Sequence, residues 1–172
     1  MAGRDLVEME LVGVRVELPS NTPIVLLREI EGQHRVLSIF IGGPEATAIA
    51  FAIEGVTTPR PLTHDLLKNV LDSLAVAVTS VVVTELVETT YYAELNLLGF
   101  GENYVVSARP SDAVALAARV GCPIMATEAI LQDAGFIEAD ELADEVEAPV
   151  PDEVVEEFKH FIDNVNPEDF AS

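Results

Sequence analysis

The chain has 172 residues, 49% of them hydrophobic, and a formal net charge of −21 at pH 7. This length corresponds to one ordinary domain with a short additional segment. Proteins that bind nucleic acid normally carry a basic surface, because neutralisation of phosphates supplies most of their affinity. The charge therefore argues against tight, non-specific binding of DNA or RNA, although a few arginines can still form a local site.

The sequence indicates neither a transmembrane helix nor a signal peptide. No uninterrupted apolar run approaches roughly 18 residues, the length that would span a bilayer. Asp5, Glu8 and Glu10 lie where a signal peptide needs apolar residues. Cys122 is the single cysteine, so an internal disulfide is impossible. We therefore expect a cytoplasmic protein that does not enter a membrane.

The first third of the chain predicts three strands followed by a helix. Residues 6–18 alternate between apolar and polar side chains, and further strands are predicted at 24–30 and 35–41. A turn is predicted at 31–34, and the helix ends at Gly55. The residues expected to face inward from this helix are Ala46, Ile49, Ala50 and Ile53.

A second helix, beginning at Pro61 or Thr63, precedes another series of three strands and a helix. These strands are predicted at 76–83, 91–97 and 104–108. Pro110 or Ser111 opens the following helix, Gly121 ends it, and its inward side chains are Ala113, Leu116, Ala117 and Val120. A short strand at 123–127 and a brief helix at 128–135 come next.

The end of the chain differs sharply in charge from the rest. Residues 128–172 hold 15 of the 30 acidic residues and one basic residue, a net charge of −14. Residues 138–152 contain Pro149 and Pro151 and predict a solvated loop, and a last helix follows it. We expect a domain at 1–137 and an acidic loop with a C-terminal helix at 138–172.

The two series of predicted elements share one register. Adding 67 to the residue numbers superimposes the inward-facing positions of the two helices, and it places Glu45 on Asp112. The three strands before each helix also fall into line, which indicates a duplicated βββα unit. The predicted fold is of the α/β class, in its α+β form: a mostly antiparallel, twisted sheet with helices packed on it.

The candidate site residues lie at predicted helix starts. Arg109 precedes one helix start and suits phosphate or carboxylate, and Ser111 and Asp112 lie in the first turn of that helix. If the repeats pack about a pseudo-two-fold axis, Glu45 and Asp112 face one groove, in which they can hold a divalent cation. The alternative is structural: Ser111 and Asp112 act as capping groups, and Arg109 forms an ion pair with Asp112.

A second group of candidates lies at the start of the helix that follows Arg60. His64 is a candidate general base near neutral pH, and Arg60 and Thr63 are candidate substrate-binding residues. The alternative for this group is an ordinary capped helix start with surface polar groups.

Several segments resemble the bifunctional nuclease domain family of bacteria and plants. They are residues 37–49, 60–67 and 91–95, and the most specific is 107–117, which contains the Arg109-Pro110-Ser111-Asp112 run. Residues 157–170 resemble the tail of actinobacterial, single-domain members.

The resemblance implies an α/β domain, often dimeric, with nuclease activity on DNA and RNA. The working hypothesis is a nuclease in which Arg109 binds phosphate, Glu45 and Asp112 hold Mg²⁺ or Mn²⁺, and His64 transfers protons. Ser111 is counted with the catalytic candidates. The alternative is a non-catalytic, dimeric binding module for an anionic metabolite or a protein partner, which the net charge favours.

Overall fold

The computed structural model describes residues 5–137, which belong to one compact unit. The predicted acidic loop and C-terminal helix at 138–172 lie outside the described residues. The strands are β1 (Leu6–Glu17), β2 (Thr22–Glu29), β3 (Val36–Phe40), β4 (Ala77–Val87), β5 (Thr90–Gly99), β6 (Glu102–Ala108) and β7 (Ile124–Thr127). The helices are α1 (Gly43–Glu54), α2 (Thr63–Ser73), α3 (Pro110–Val120) and α4 (Glu128–Ala134).

The seven strands form one sheet in the order β3-β2-β1-β7-β4-β5-β6. Five of the six neighbouring pairs are antiparallel, and β4 with β7 is parallel. Strand β7 therefore joins two antiparallel three-stranded groups that are each continuous in sequence. The prediction of a mostly antiparallel sheet with helices packed on it is confirmed.

A single core cluster forms between the sheet and its helices. Directly paired strand residues point to the same face, and the pairs Leu27 with Leu37 and Val81 with Leu95 belong to this cluster. Fully buried side chains from three helices complete it: Ile49 of α1, Leu116 of α3, and Ile130 and Leu131 of α4. Helices α1, α3 and α4 thus share one face of the sheet.

Helix α3 lies in the middle of this layer, in contact with α1, α2, β4 and β5. Its predicted inward residues Ala113, Leu116 and Ala117 are buried, and so are Val114 and Ala115. The extra burial arises because neighbouring helices cover both sides of α3. In α1 the prediction was wrong for Ile53, which is 51% exposed near the end of the helix.

Helix α2 contacts α3 rather than the sheet. Three of its apolar side chains, Leu66, Leu67 and Val70, and that of its C-cap residue Leu74 are 39–54% exposed. His64 in its first turn is buried, and Leu71 packs against the core cluster.

The order β-β-β-α occurs twice, in β1–β3 with α1 and in β4–β6 with α3. The N-cap residues of α1 and α3 are Gly42 and Arg109, both with extended backbone, and Gly55 and Gly121 end these helices in the left-handed conformation. The common origin of the two units stays a prediction.

Candidate active site

Three helices begin close together on one side of the molecule. Glu45, His64 and Asp112 each lie in the first turn of their helix, and Arg109 is the N-cap residue of α3. Carboxylates in a first turn interact favourably with the positive end of the helix dipole. The four side chains that the sequence placed at separate helix starts are joined by hydrogen bonds in one cluster.

Arg109 is the centre of this cluster. Its Nε donates to Asp112 Oδ2 at 2.6 Å, and its Nη2 donates to Asp112 Oδ1 at 3.0 Å and to Glu45 Oε1 at 2.8 Å. His64 Nε2 lies 3.0 Å from the same Oδ1 atom of Asp112. Asp112 therefore connects a guanidinium to an imidazole. The predicted ion pair between Arg109 and Asp112 is present, but it is part of a larger network.

The electrostatics of the cluster keep Asp112 ionised. Partial burial alone would raise the pKa of Asp112, but hydrogen bonds from Arg109 and His64 outweigh it and hold this pKa below its ordinary value. The pKa of Arg109 is raised by its hydrogen bonds to Asp112 and Glu45. At neutral pH the cluster therefore contains two oppositely charged partners and a second carboxylate, Glu45.

The ionised carboxylate determines how His64 is oriented. A carboxylate accepts hydrogen bonds, so Nε2 of His64 carries a proton and Nδ1 of a neutral ring is the free acceptor. His64 is 7% exposed, and its Nδ1 makes no hydrogen bond with residues 5–137. In this part of the chain no buried side-chain nitrogen or oxygen lacks a partner. This geometry suits a general base oriented by a carboxylate.

A second ion pair holds the first turn of α2 against α3. Arg119, whose side chain is 7% exposed, donates from Nε to Asp65 Oδ1 at 2.5 Å and from Nη1 to the Ala115 carbonyl at 2.9 Å. The other Asp65 oxygen accepts from the Leu62 backbone N–H at 2.9 Å. Burial alone would raise the pKa of Asp65. The hydrogen bonds from Arg119 and Leu62 outweigh this effect, so the net shift of the pKa is downward. These contacts fix the backbone on both sides of His64.

Beside Arg109 lies a cavity of about 350 Å³. Its walls are residues 39–42 at the end of β3, residues 89–91 at the β4–β5 turn, and residues 109–111 at the start of α3. The pKa of Tyr91 in this wall is raised by burial, so its phenol remains a hydrogen-bond donor.

Ser111 lines the cavity, but it does not cap α3. The N-cap is Arg109, which makes no side-chain capping bond, and Pro110 occupies the first helical position. The serine hydroxyl belongs to a residue that is 6% exposed and lines the cavity. The capping role that the sequence suggested for Ser111 is thus wrong, because the N-cap lies two residues earlier, at Arg109.

Arg60 and Thr63 are exposed, and no hydrogen bond or ion pair joins either side chain to the cluster within residues 5–137. Thr63 is the first residue of α2, as predicted, and Leu62 is its N-cap. Both residues stay predictions for substrate binding.

Sequence reasoning did not single out Arg119 or Tyr91 as site residues. Arg119 lies in the last turn of α3, and its partner Asp65 lies 54 positions away. The sequence carries no local signal for this pair, because Arg119 lies outside the inward-facing stripe of α3.

Comparison with known proteins places this chain in a family. A sequence model described as "Bifunctional nuclease domain" matches residues 25–139. An uncharacterized protein of Mycobacterium tuberculosis is 48% identical over 165 residues, which cover 96% of this chain and 98% of that protein.

Plant proteins are more distant relatives. Bifunctional nuclease 1 of Oryza sativa subsp. japonica is 27% identical over 115 residues, covering 65% of this chain and 35% of the plant protein. Bifunctional nuclease 2 of Arabidopsis thaliana is 27% identical over 124 residues, covering 69% and 38% respectively. The matched part of this chain thus spans little more than a third of the plant nucleases. The chain belongs to the bifunctional nuclease domain family.

Proposed function

We propose that the protein is a nuclease that hydrolyses phosphodiester bonds in DNA, RNA or both. The observation that carries the proposal is the hydrogen-bonded cluster of Glu45, His64, Arg109 and Asp112 at three converging helix starts. It combines an oriented proton acceptor with an exposed cation, and the chain that carries it belongs to a family named for nucleases.

Arg109 binds the scissile phosphate in this proposal. Its side chain is 65% exposed, and its Nη1 group makes no hydrogen bond within residues 5–137. The guanidinium therefore has two N–H donors left for a phosphate oxygen while Asp112 and Glu45 hold its other side. Such a donor favours the transition state most when it points to where negative charge develops.

His64 removes a proton from the attacking water, and Asp112 keeps the ring oriented. The Asp112 carboxylate accepts from Nε2, so Nδ1 carries the lone pair that receives the proton. Asp112 also stabilises the imidazolium that results. Ser111, at the wall of the cavity, is placed to contact the substrate beside Arg109.

Glu45 and Asp112 are the residues that would hold Mg²⁺ or Mn²⁺. Oxygen ligands suit both ions, and Mg²⁺ usually keeps several waters beside one or two carboxylates. Residues 5–137 contain no group of three or more histidine, cysteine or acidic side chains arranged for a metal. A bound ion would neutralise phosphate charge, and both carboxylates would have to share their oxygens with Arg109.

The test is cleavage of single- and double-stranded DNA and RNA by the purified full chain, with Mg²⁺, with Mn²⁺ and with chelator. His64→Ala, Arg109→Ala and Asp112→Ala are each expected to lower the rate by about 100-fold or more. Arg60→Ala is expected to raise KM and leave kcat unchanged. Unchanged cleavage in the Arg109 and Asp112 variants would refute the roles proposed for these residues. The absence of cleavage under every condition would refute the proposed nuclease activity.

The second candidate is a non-catalytic binding module for an anionic metabolite or a protein partner. The net charge of −21 favours it, because polyanionic nucleic acid is repelled by the molecule as a whole. A ligand-dependent rise in melting temperature without nuclease activity would select this alternative.

We also propose a cytoplasmic homodimer. The exposed apolar side chains of α2 form a surface of the kind that marks interaction sites, and Val70 is 45% exposed within it. Val70→Glu is expected to convert a dimer, measured by light scattering, into a monomer. No helix in residues 5–137 is long and apolar enough to cross a membrane.

A further inference from the structure

We propose that the cavity beside Arg109 is a nucleobase subsite: it binds the base and sugar of a nucleotide whose phosphate lies on Arg109. The inference deepens the proposed function and rests on it for the identity of the phosphate as part of a nucleic acid. The binding of a mononucleotide, however, depends only on the cavity and the guanidinium.

The charge of the cavity differs from that of the whole chain. The protein has 30 acidic residues and nine lysines and arginines, yet the ten residues that line the cavity include no acidic residue and one charged residue, Arg109. Glu45 and Asp112 contact Arg109 but are not part of the cavity wall. A ligand in the cavity therefore meets a cation at one end and uncharged groups elsewhere, which suits a neutral ring attached to an anion.

The size and apolar surface of the cavity fit a flat ring. Its volume of about 350 Å³ lies within the range of small-molecule sites, roughly 300–1,000 Å³. Two aromatic residues line it: Phe40, which is 58% exposed, and Tyr91, which is half-buried. Exposed aromatic rings beside a cationic group are the usual platform for bases of single-stranded nucleic acid.

Hydroxyl groups on two sides of the cavity can bind the sugar or the edge of the base. Thr89, Thr90 and Tyr91 lie in the wall formed by the β4–β5 turn, and Ser111 lies in the wall formed by α3. Hydroxyls both donate and accept hydrogen bonds, so they tolerate different bases. The subsite is thus expected to bind any base with modest preference, as a sequence-tolerant nuclease requires.

The test compares three ligands on the full chain by isothermal titration calorimetry: AMP, ribose 5-phosphate, which lacks the base, and adenosine, which lacks the phosphate. AMP is expected to bind most tightly. Phe40→Ala should weaken AMP by about 5- to 150-fold, the range for loss of one stacked base, and leave ribose 5-phosphate within about 2-fold. Arg109→Ala should weaken AMP and ribose 5-phosphate but not adenosine.

Two further variants control for folding and for general loss of aromatic surface. Phe40→Trp keeps a stacking ring and should retain the binding of AMP. Phe100→Ala removes a phenylalanine that is 78% exposed at the β5–β6 turn, away from the cavity wall, and should change nothing. Thermal unfolding of each variant verifies that it is folded.

The proposal is overturned if the wild-type chain binds AMP and ribose 5-phosphate equally, or if Phe40→Ala and Phe100→Ala behave alike. Failure of the proposed nuclease is a separate result, since the titration requires no cleavage. If the chain shows the expected pattern with AMP but cuts no nucleic acid, the subsite is supported and the proposed nuclease activity is refuted. If the chain cuts oligonucleotides at equal rates with and without a base next to the scissile phosphate, the subsite is refuted and the nuclease activity is not.

Discussion

Gly42 and Arg109 occupy the same position, the N-cap, in α1 and α3, and both are essential to the geometry of the cluster. Arg109 supplies the guanidinium. Gly42 supplies space, because a Cβ atom built on it would lie 2.2 Å from Glu45 Oε2, far inside van der Waals contact. The carboxylate of Glu45 thus lies over Gly42 on its way to Arg109.

Gly42→Ala is therefore expected to displace the Glu45 carboxylate and break its hydrogen bond to Arg109. Because the displaced group is the end of a flexible side chain, the melting temperature should change little. Nuclease activity should fall by about 3- to 10-fold, the equivalent of one exposed charge-assisted hydrogen bond.

Gly43→Ala is the matched control for this prediction, because a Cβ atom there meets nothing within 4 Å. Glu45→Gln should lower activity to the same degree as Gly42→Ala. Equal activity in Gly42→Ala and Gly43→Ala would show that Glu45 plays no part in the site.

At the scale of elements, the attachment of α2 to α3 determines whether His64 reaches Asp112. The ion pair of Arg119 with Asp65 is a polar contact of the first turn of α2, in addition to the hydrogen bond between His64 and Asp112.

Arg119→Met is expected to lower the free energy of unfolding by about 1–2 kcal/mol. This is less than the 3–5 kcal/mol of a fully buried pair, since the Asp65 side chain is 35% exposed and water can solvate it. Cleavage should fall more than stability alone explains, because His64 loses its fixed position. Chemical denaturation and kcat measured below the unfolding transition test the two effects separately.

Lys68→Met serves as the comparison for Arg119→Met. It removes the exposed pair of Lys68 with Asp72 on the same helix, which is expected to contribute about 0.5 kcal/mol or less. A similar loss of activity in both variants would contradict the positioning role of Arg119.

A different ion-pair network joins α4 to the hairpin of β2 and β3. Arg35 donates to both oxygens of Glu29 and, at 2.9 Å from Nη1 and Nη2, to both oxygens of Glu128. The hydrogen bond from Arg35 lowers the pKa of Glu128 from 4.5 to about 2, and the pKa of Glu29 is also lowered, chiefly by Arg35. Glu29 is almost fully buried, so its charge depends on Arg35 for compensation.

The low pKa of Glu128 predicts a pH-dependent contribution to stability. A carboxyl group whose pKa is lower in the folded state stabilises the protein above its unfolded pKa, and this stabilisation is lost as pH falls through the folded pKa. Glu128→Gln should therefore melt below the wild-type chain at neutral pH. The difference in melting temperature should shrink as the pH is lowered from about 4.5 to about 2. A difference that is constant across this window would contradict the prediction.

The sequence predicts the strands, helix starts and turns well, but it predicts poorly which of these elements contact one another. The strands, the helix starts and the turn at 31–34 follow from alternation, helical periodicity and turn residues, which act over a few positions. Neither the insertion of β7 between β1 and β4 nor the contact of Arg35 with Glu128, 93 positions apart, has a local signal. Such pairings depend on how whole elements pack.

For the whole molecule, the acidic charge opposes the approach of a nucleic acid to Arg109. Residues 138–172 carry 13 acidic residues and one lysine, so a chain of residues 1–137 has a net charge of −9 in place of −21. Long-range repulsion of this kind is screened by salt, with a Debye length of about 10 Å at 0.1 M.

A chain ending at Ile137 is expected to bind single-stranded DNA more tightly than the full chain at low salt. The difference should disappear at high salt, where repulsion is screened. Fluorescence anisotropy across a salt series measures both affinities. Equal affinity of the two chains at low salt would mean that the acidic segment does not influence binding, and Arg109→Ala provides the reference for loss of the local site.

The sequence by itself determined the mixed fold, the family, and the positions of Glu45, His64, Arg109 and Asp112 at helix starts. Helix signals are local, so a proline, a glycine or an apolar stripe defines a first turn without knowledge of the rest of the chain. Only the tertiary structure decided that these first turns meet. His64 and Asp112 are 48 positions apart, and Glu45 and Arg109 are 64 apart.

The tertiary structure also decided what surrounds them. The acid-free cavity forms from three segments that no periodicity connects, and the Asp65–Arg119 pair exists because α2 packs on α3. The physical reason is common to both. Local preferences determine which residues begin a helix, whereas side-chain packing across the sheet determines which helix starts lie together on the surface.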